Sequence, residues 1–304
     1  MDGRNRTVTC IVNCAAGSNR CAEDAARVGE LLALNHIDAR VVVADGHEVA
    51  AAAERAVSEG CDVVIGAGGD GTLNAIANAL VGTEVTLGVV PLGTFNHFAK
   101  DLHIPLEVEA AIAAVASGQT TCIDVGEVNG RIFLNNSSLG LYPWLVRQRD
   151  KLQRHGASKW RAVLSALLSI AEYYPRLYVR LRTSERHERA RETSFVFIGN
   201  NKYEMTGARP GGRQILDNGQ LWVCRAPRTG QMKLLWLALR ALLGFKPKEL
   251  ETLAVSELWI ETGSKRARVA TDGEISVLES PLHYVSRPKA LKVIVPASPA
   301  AANV

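Results

Sequence analysis

Four glycines surround one carboxylate in the segment GAGGDGTLN, which covers residues 66–74. An apolar run precedes this segment and a helical pattern follows it, so it stands where a strand passes into a helix. Glycines let the backbone approach a phosphate closely, and the N–H groups that begin a helix point toward an anion. Asp70 would repel a phosphate by itself, which indicates an intervening divalent metal or a hydrogen bond from a ribose or from the backbone. The pattern predicts a phosphate-binding loop.

The alternative is a tight strand-to-helix turn capped by Asp70 or Thr72. The segment is neither a Walker A loop, because no Gly-Lys-Ser/Thr follows, nor G-x-G-x-x-G. Four glycines around Asp-Gly-Thr favour phosphate binding over that turn. A second polar segment, PLGTFNHFAK at residues 91–100, follows the next predicted strand. Because neighbouring parallel strands end at the same edge of a sheet, we expect this segment to flank the first one.

Two different patterns divide the chain. In the first third, apolar strands at 7–13, 39–44, 61–66 and 86–91 alternate with helical patterns at 22–34, 48–58, 73–80 and 106–117. Such an alternation predicts a parallel sheet covered by helices on both faces. After about residue 123, short alternating segments are separated by the turn dipeptides Asn129-Gly130, Asn218-Gly219 and Asp272-Gly273. They predict an antiparallel β domain, interrupted by helical insertions near 160–173 and 231–243.

The composition is that of a soluble globular protein. The length of 304 residues predicts two domains, and the net charge of +4 neither requires nor excludes a polyanionic partner. The six cysteines include no C-x-x-C pair, and most read as small buried apolar residues. The longest apolar stretch, 234–245, is too short to span a bilayer, and the N-terminus has no apolar signal segment. We therefore expect a cytoplasmic protein.

Together, the motifs resemble those of the diacylglycerol kinase catalytic-domain family, which includes bacterial lipid kinases and the sphingosine and ceramide kinases. The resemblance runs from about residue 8 to residue 295. It rests on an ordered set of motifs: Asn13 and Gly17 in the first loop, Gly68-Gly69-Asp70-Gly71-Thr72-Leu73-Asn74, Pro91-Leu92-Gly93-Thr94 with Asn96, and Asp272-Gly273-Glu274.

The resemblance implies two domains of different class. The N-terminal one is a parallel α/β nucleotide-binding domain, related to phosphofructokinase and NAD kinase, and covers 1–125, with 287–304 returning to it. The C-terminal one is an antiparallel β-sandwich that receives the lipid substrate and covers 126–286. The active site is expected in the cleft between the two domains.

The resemblance also implies an ATP-dependent, Mg²⁺-dependent kinase that phosphorylates a hydroxyl of a diacylglycerol- or sphingolipid-like acceptor. Glu274 is then the general base and Asp272 supports it, and the proximity of two carboxylates is expected to raise one pKa toward neutrality. Without the resemblance, Asp-Gly-Glu would read as an ordinary hairpin turn. Asp70 is assigned to Mg-ATP. The nucleotide contacts are assigned to Asn13, Gly17, Gly68, Gly69, Asp70, Gly71, Thr72, Leu73, Asn74, Thr94 and Asn96.

The chain departs from the family pattern at several positions. His97 replaces a usual Asp, and a structural histidine is the favoured interpretation. Val43 stands in the region where many relatives have a nucleotide-contacting Thr. Asn218 replaces an Asp that holds a structural magnesium in bacterial relatives, and Asp217 lies one residue early. Asn218 is therefore a doubtful metal ligand.

A basic run at 147–161 contains six Lys or Arg and a single acid, Asp150, and it leads into an amphipathic pattern at 162–174. Basic charge beside an apolar face favours peripheral binding to an anionic membrane surface, here the inner face of the cytoplasmic membrane. A solvated helix face is the alternative. The apolar segment 233–245 fits a membrane or lipid-pocket helix, or core packing.

Other function classes stay open to different degrees. The basic run has no nucleic-acid recognition module beside it and aromatics are only 6% of the chain, so we expect no nucleic-acid partner. A soluble-substrate kinase related to NAD kinase would share the GGDGT motif, but the PLGTFNHFA and Asp-Gly-Glu segments favour lipid kinases. A catalytically impaired member that acts as a binding protein is a third hypothesis. A homodimer is also left open.

Overall fold

The computed structural model describes residues 6–14, 20–140, 177–184, 188–204, 212–226 and 250–297. The chain divides into two compact units, a first unit of Met1–Val125 with Pro288–Val304 and a second unit of Gly126–Arg287. The division falls within two strands, β5 (Gln119–Val128) and β16 (Leu282–Val295).

The first unit is a parallel sheet with helices. Its other strands are β1 (Val8–Asn13), β2 (Ala39–Ala44), β3 (Val63–Gly68) and β4 (Thr86–Pro91), and its helices are α1 (Arg20–Leu34), α2 (Val49–Ser58), α3 (Asp70–Leu80), α4 (His97–Asp101) and α5 (Val108–Ser117). The strand order is β2-β1-β3-β4, followed by the end of β16, and these neighbours pair in parallel.

The core of the first unit explains why its strands are apolar runs. Every residue of β3 is buried, because helices cover both faces of the sheet. Val28 of α1 and Ile112 of α5 share one core cluster with Ile65 of β3. On the other face, Gly66 lies against Ile76 of α3. The carboxyl ends of β1, β3 and β4 are therefore held side by side by a rigid, buried sheet.

The second unit is built of antiparallel strands: β6 (Arg131–Phe133), β7 (Asn136–Gly140), β8 (Leu177–Arg182), β9 (Arg191–Thr193), β10 (Phe195–Asn200), β11 (Leu221–Arg225), β12 (Glu251–Val255), β13 (Glu257–Thr262), β14 (Arg266–Thr271) and β15 (Glu274–Glu279). One sheet has the order β12-β11-β10-β7-β14-β15, and a second has β16-β13-β8-β9. Leu139 and Val196 of the first sheet form one core with Val179, Leu258 and Tyr284 of the second.

The predicted fold class is confirmed: a parallel α/β unit is joined to an antiparallel β unit. Asn129-Gly130 connects β5 with β6, and Asp272-Gly273 connects β14 with β15. Both residues of each turn have positive φ, which suits the right-handed twist of a hairpin. Asn218-Gly219 was read as a hairpin turn, and it lies in the long connection 201–220 between the antiparallel neighbours β10 and β11, so it is not a two-residue turn.

Several predictions lie outside the described residues or differ from the structure. Gly17, the basic run 147–161 and the insertions near 160–173 and 231–243 lie outside the described ranges. Cys10, Cys61 and Cys224 are buried and free as expected, but Cys14 is disulfide-bonded, which the sequence did not indicate. In the described part of the chain, no helix has both the length and the apolar character that crossing a bilayer requires.

Candidate active site

The glycine segment is a junction between strand and helix with almost no loop. Strand β3 continues through Gly68, Gly69 is the N-cap of α3 in an extended conformation, and the helix begins at Asp70. No side chain caps α3, so the capping by Asp70 or Thr72 that the alternative included is wrong, although the turn between strand and helix is as tight as that alternative supposed. The sequence placed the helix start near residue 73, because Asp, Gly and Thr are poor helix formers.

The helix start presents N–H groups that no helical carbonyl can accept. Leu73 makes the first helical bond, from its N–H to the Gly69 carbonyl at 3.1 Å. By helix geometry the N–H groups of Asp70, Gly71 and Thr72 have no acceptor within α3, and the positive end of the helix dipole lies at the same point. Leu73 is fully buried in the core, so the predicted phosphate contact by Leu73 is corrected to a core and helix role. Asn74, also buried, accepts from Asn78.

Two of the glycines lie where α3 packs on β3. A Cβ built on Gly68 would lie 2.5 Å from Thr72 Oγ1 and 2.6 Å from Thr72 Cβ, which no side-chain rotation can move, so packing requires glycine there. A Cβ on Gly66 would lie 2.8 Å from Ile76 Cδ1, the end of a flexible side chain that would have to shift. These glycines allow the helix to approach the strand, and the predicted phosphate contacts are left to Gly69 and the first turn of α3.

The second polar segment lies directly against the first, as predicted. The Leu92 N–H donates to the Gly68 carbonyl at 3.0 Å. A Cβ on Gly93 would lie 2.5 Å from the Gly69 Cα, so the two backbones touch without any side chain between them. Asn96 closes the turn in a left-handed conformation, with φ +51. Its Oδ1 accepts from the Gly93 N–H at 3.0 Å, and its Nδ2 donates to the Gly93 carbonyl at 2.8 Å. Thr94, between them, is exposed.

Gly93→Ala should destabilise the first unit by about 1–3 kcal/mol, because the new methyl group meets backbone that cannot rotate away. The measurement is the free energy of unfolding in urea. Gly46→Ala is the matched control, since a Cβ there would have no neighbour within 4 Å. It should be neutral, or stabilise by up to about 1 kcal/mol through the unfolded state. Equal stability of the two variants would contradict the close approach.

Asp70 links the two segments. Its Oδ2 accepts the N–H of His97 at 3.1 Å and its Oδ1 accepts the N–H of Phe98 at 3.0 Å. Asp70 therefore caps α4, and of the explanations offered for this carboxylate, the backbone hydrogen bond is present. Each oxygen keeps further acceptor capacity. The His97 ring stacks on Phe95 at 5.7 Å, and both side chains are exposed.

Asn13 connects the end of β1 to the first turn of α3. Its Nδ2 donates to Thr72 Oγ1 at 2.6 Å. Its Oδ1 is buried and has no hydrogen-bond partner in the described part of the chain. A buried acceptor without a donor is costly, so this oxygen is available to a ligand donor. Val43, at the end of β2, is half exposed and makes no comparable polar contribution.

The Asp-Gly-Glu turn lies in the second unit and separates its two carboxylates. Asp272 has φ +48, and its carboxylate accepts the N–H groups of Leu134, Asn135 and Asn136 at 2.6, 2.8 and 3.0 Å. Glu274 begins β15 opposite Thr271 and is exposed. The two side chains therefore differ in their surroundings: the Asp272 carboxylate is bonded to backbone N–H groups, and the Glu274 carboxylate is exposed to solvent.

The pKa of Asp272 is raised to about 6 by burial. The three N–H donors and the charge of Arg213 act in the opposite direction. We expected the proximity of the two carboxylates to raise one pKa toward neutrality; the pKa of Asp272 is raised, but the cause is burial and not Glu274. Arg213 itself was missed by the sequence analysis, since a single Arg in a turn-rich segment carries no motif.

The residues near Asn218 are poor ligands for the structural magnesium that bacterial relatives hold there. Asn218 donates its N–H to Asn201 Oδ1 at 3.2 Å and its Nδ2 to Gln220 Oε1 at 3.1 Å, so its amide serves a turn. Within the described ranges, no group of three or more His, Cys, Asp or Glu side chains is placed to hold a metal. A single carboxylate suits Mg²⁺ that phosphate oxygens also bind, and Asp70 meets that requirement.

Comparison with known proteins agrees with this geometry. Residues 7–128 match the family model of the diacylglycerol kinase catalytic domain. Diacylglycerol kinases of Staphylococcus aureus strains JH9 and Newman are each 43% identical to this chain over 90 residues. That region spans 29% of this chain and 29% of each relative's own length.

A crystal structure of a diacylglycerol kinase from Bacillus anthracis str. Sterne has the same fold. It superposes with a TM-score of 0.74 at 23% identity, and the match covers 97% of this chain and 98% of that chain. The predicted resemblance to the diacylglycerol kinase catalytic domain is therefore confirmed in sequence for residues 7–128, and the solved structure shows that the fold is shared.

Proposed function

We propose that this protein is an ATP-dependent lipid kinase, which transfers the γ-phosphoryl group to a hydroxyl of a diacylglycerol- or sphingolipid-like acceptor. One observation carries the proposal: the family match coincides with a helix start at which Gly69, Asp70 and Gly93 meet at the carboxyl ends of β3 and β4. Ligands bind at that edge of open parallel sheets.

The first unit offers what a nucleotide phosphate needs. The N–H groups of Asp70, Gly71 and Thr72 point away from α3, and bare glycine backbone at Gly69 permits close approach. The Asn13 Oδ1 adds a buried acceptor beside Thr72, suited to a donor such as a ribose hydroxyl. ATP held there would supply the phosphoryl group, and Asp70 would hold the Mg²⁺ that neutralises phosphate charge.

The second unit offers a proton acceptor. The Glu274 carboxylate is exposed at the first position of β15, on a turn whose two residues both have positive φ. We assign the Glu274 carboxylate the proton of the acceptor hydroxyl, whose oxygen would form the new bond to the γ-phosphorus as the bond to ADP breaks. The three backbone bonds of Asp272 occupy its carboxylate, so we assign it the task of holding the turn.

The acceptor class is tested by phosphate transfer from radiolabelled ATP. Separate mixed micelles present diacylglycerol, monoacylglycerol, ceramide, a sphingoid base or phosphatidylglycerol, and NAD⁺ is offered in solution with and without Mg²⁺. A labelled phospholipid that forms only with Mg²⁺ supports the proposal. Labelled NADP⁺ would instead identify a soluble-substrate kinase. Binding of ATP without transfer to any acceptor would identify a catalytically impaired member.

A peripheral membrane location on the cytoplasmic side is proposed from the sequence of residues 147–161, which lie outside the described ranges. Replacing Arg147, Arg149 and Arg154 with Gln should weaken sedimentation with anionic liposomes by about 1 kcal/mol per charge. Activity on a detergent-dispersed lipid should change much less. A control with the same charge change replaces the exposed Arg6, Arg131 and Arg268 with Gln. Equal liposome binding by the two triple variants would assign the basic run to a solvated face.

A further inference from the structure

Arg213 is a buried cation in the second unit. Only 4% of the residue is exposed. Its Nη1 donates to the carbonyls of Leu134 and Asn200 at 2.7 and 2.9 Å, and its Nη2 donates to Asn135 Oδ1 at 2.8 Å. The guanidinium also lies 5.6 Å from the centre of the Tyr203 ring. A buried guanidinium is costly unless an opposite charge compensates it, and these acceptors are neutral.

Asp272 is one compensating charge, and it binds the other side of the same segment. Leu134 shows the arrangement most directly: its N–H donates to Asp272 Oδ2 at 2.6 Å, and its carbonyl accepts from Arg213 at 2.7 Å. Asn135 likewise donates its N–H to Asp272 and its Oδ1 accepts from Arg213. The two charges also interact electrostatically, because Arg213 lowers the pKa of Asp272. The segment 134–136 is thus clamped between an anion and a cation.

Asp272, the anion of this clamp, lies two positions before Glu274 in the sequence. The Asp272 N–H donates to the Asn136 carbonyl at 2.9 Å. Asp272 therefore bonds the turn to the clamped segment through both its backbone and its side chain. We propose that Arg213 is a positioning residue, which holds the 134–136 segment against Asp272 and thereby fixes the turn that presents Glu274. The inference rests on the proposed role of Glu274 as the base.

If Arg213 were only structural, its loss would lower stability in the same way as the loss of another buried arginine. Arg225 provides that comparison. Arg225 is 6% exposed and pairs with Glu188 and Glu251. Its ion pairs join β11 to β12 and to the connection between β8 and β9, and those bonds involve neither the segment 134–136 nor the turn. Loss of Arg225 should therefore reduce stability without displacing Glu274.

The test compares Arg213→Met, Arg213→Lys and Arg225→Met in the full chain, at a temperature where each variant is folded. For Arg213→Met we expect kcat to fall at least tenfold with an unchanged KM for ATP, and Arg213→Lys to recover part of the loss. Arg225→Met should stay within about twofold of the wild-type kcat, since its loss is one of stability alone. Lys keeps the charge and some donors, so it provides a second folded variant.

Amide hydrogen exchange supplies a readout that does not depend on activity. Arg213→Met should exchange at least tenfold faster than wild type in peptides that cover 134–136 and 271–275, and Arg225→Met should not. Equal kcat values for the two Met variants, or unchanged exchange in those peptides, would overturn the proposal. If wild-type protein phosphorylates no acceptor, the proposed function fails, and the exchange comparison alone decides whether Arg213 holds the turn.

Discussion

Glu274→Gln is expected to lower kcat by about a hundredfold or more while leaving the affinity for ATP unchanged. Glutamine keeps the size and the hydrogen bonding of the side chain but cannot accept a proton. The residue is exposed at the start of β15, so the substitution should leave folding intact. The loss should fall on kcat and kcat/KM together, because the interaction exists only as the proton moves.

A matched glutamate on the same strand provides the control for Glu274. Glu279 is exposed and paired with Arg266, so Glu279→Gln removes one carboxylate from β15 without touching the proposed base. It should keep the wild-type kcat. Collapse of ATP binding in Glu274→Gln would make Glu274 a nucleotide or metal contact.

Asp70→Asn should lower turnover by two or more orders of magnitude, on the order expected for losing a key electrostatic group. The amide has half the acceptor capacity and no charge, so the variant should also need a higher Mg²⁺ concentration for half-maximal rate. A smaller effect on folding is expected, because the new NH₂ group must face the N–H of His97 or Phe98. That loss weakens the cap of α4 by about 1 kcal/mol.

The control for Asp70 is Asp62→Asn. Asp62 also accepts a backbone N–H, from Thr7 at 2.8 Å, but it lies at the amino end of β3. Its substitution should reduce stability to a similar extent and leave turnover and the Mg²⁺ requirement unchanged. Turnover of Asp70→Asn close to that of Asp62→Asn would reduce Asp70 to a structural link between the two polar segments.

The sequence predicted the parallel unit well because burial on both faces leaves a simple pattern. Strands β2 and β4 begin and end at the predicted residues. The junction at Gly68 and Asp70 was misplaced, since glycine and aspartate carry weak preferences and tertiary packing decided the boundary. Helix α4 was not predicted, because its five residues are too short for a periodic pattern.

The roles within the site were harder to predict than its position. The Asp-Gly dipeptide indicates the hairpin turn at Asp272, since both residues must adopt positive φ. Nothing local indicates that the Asp272 carboxylate binds backbone more than a hundred residues earlier in the chain. Arg213 is a similar case: two of its acceptors are backbone carbonyl groups, which leave no trace in residue types.

The contact between Gly69 and Gly93 limits how this chain can be redesigned. A bulky substitution in a core can often be rescued by a smaller residue opposite it, but both members of this pair are already the smallest residue. No second-site change at the partner position can restore the fit. Libraries aimed at a new acceptor or nucleotide preference should therefore keep both glycines and diversify exposed neighbours such as Phe95.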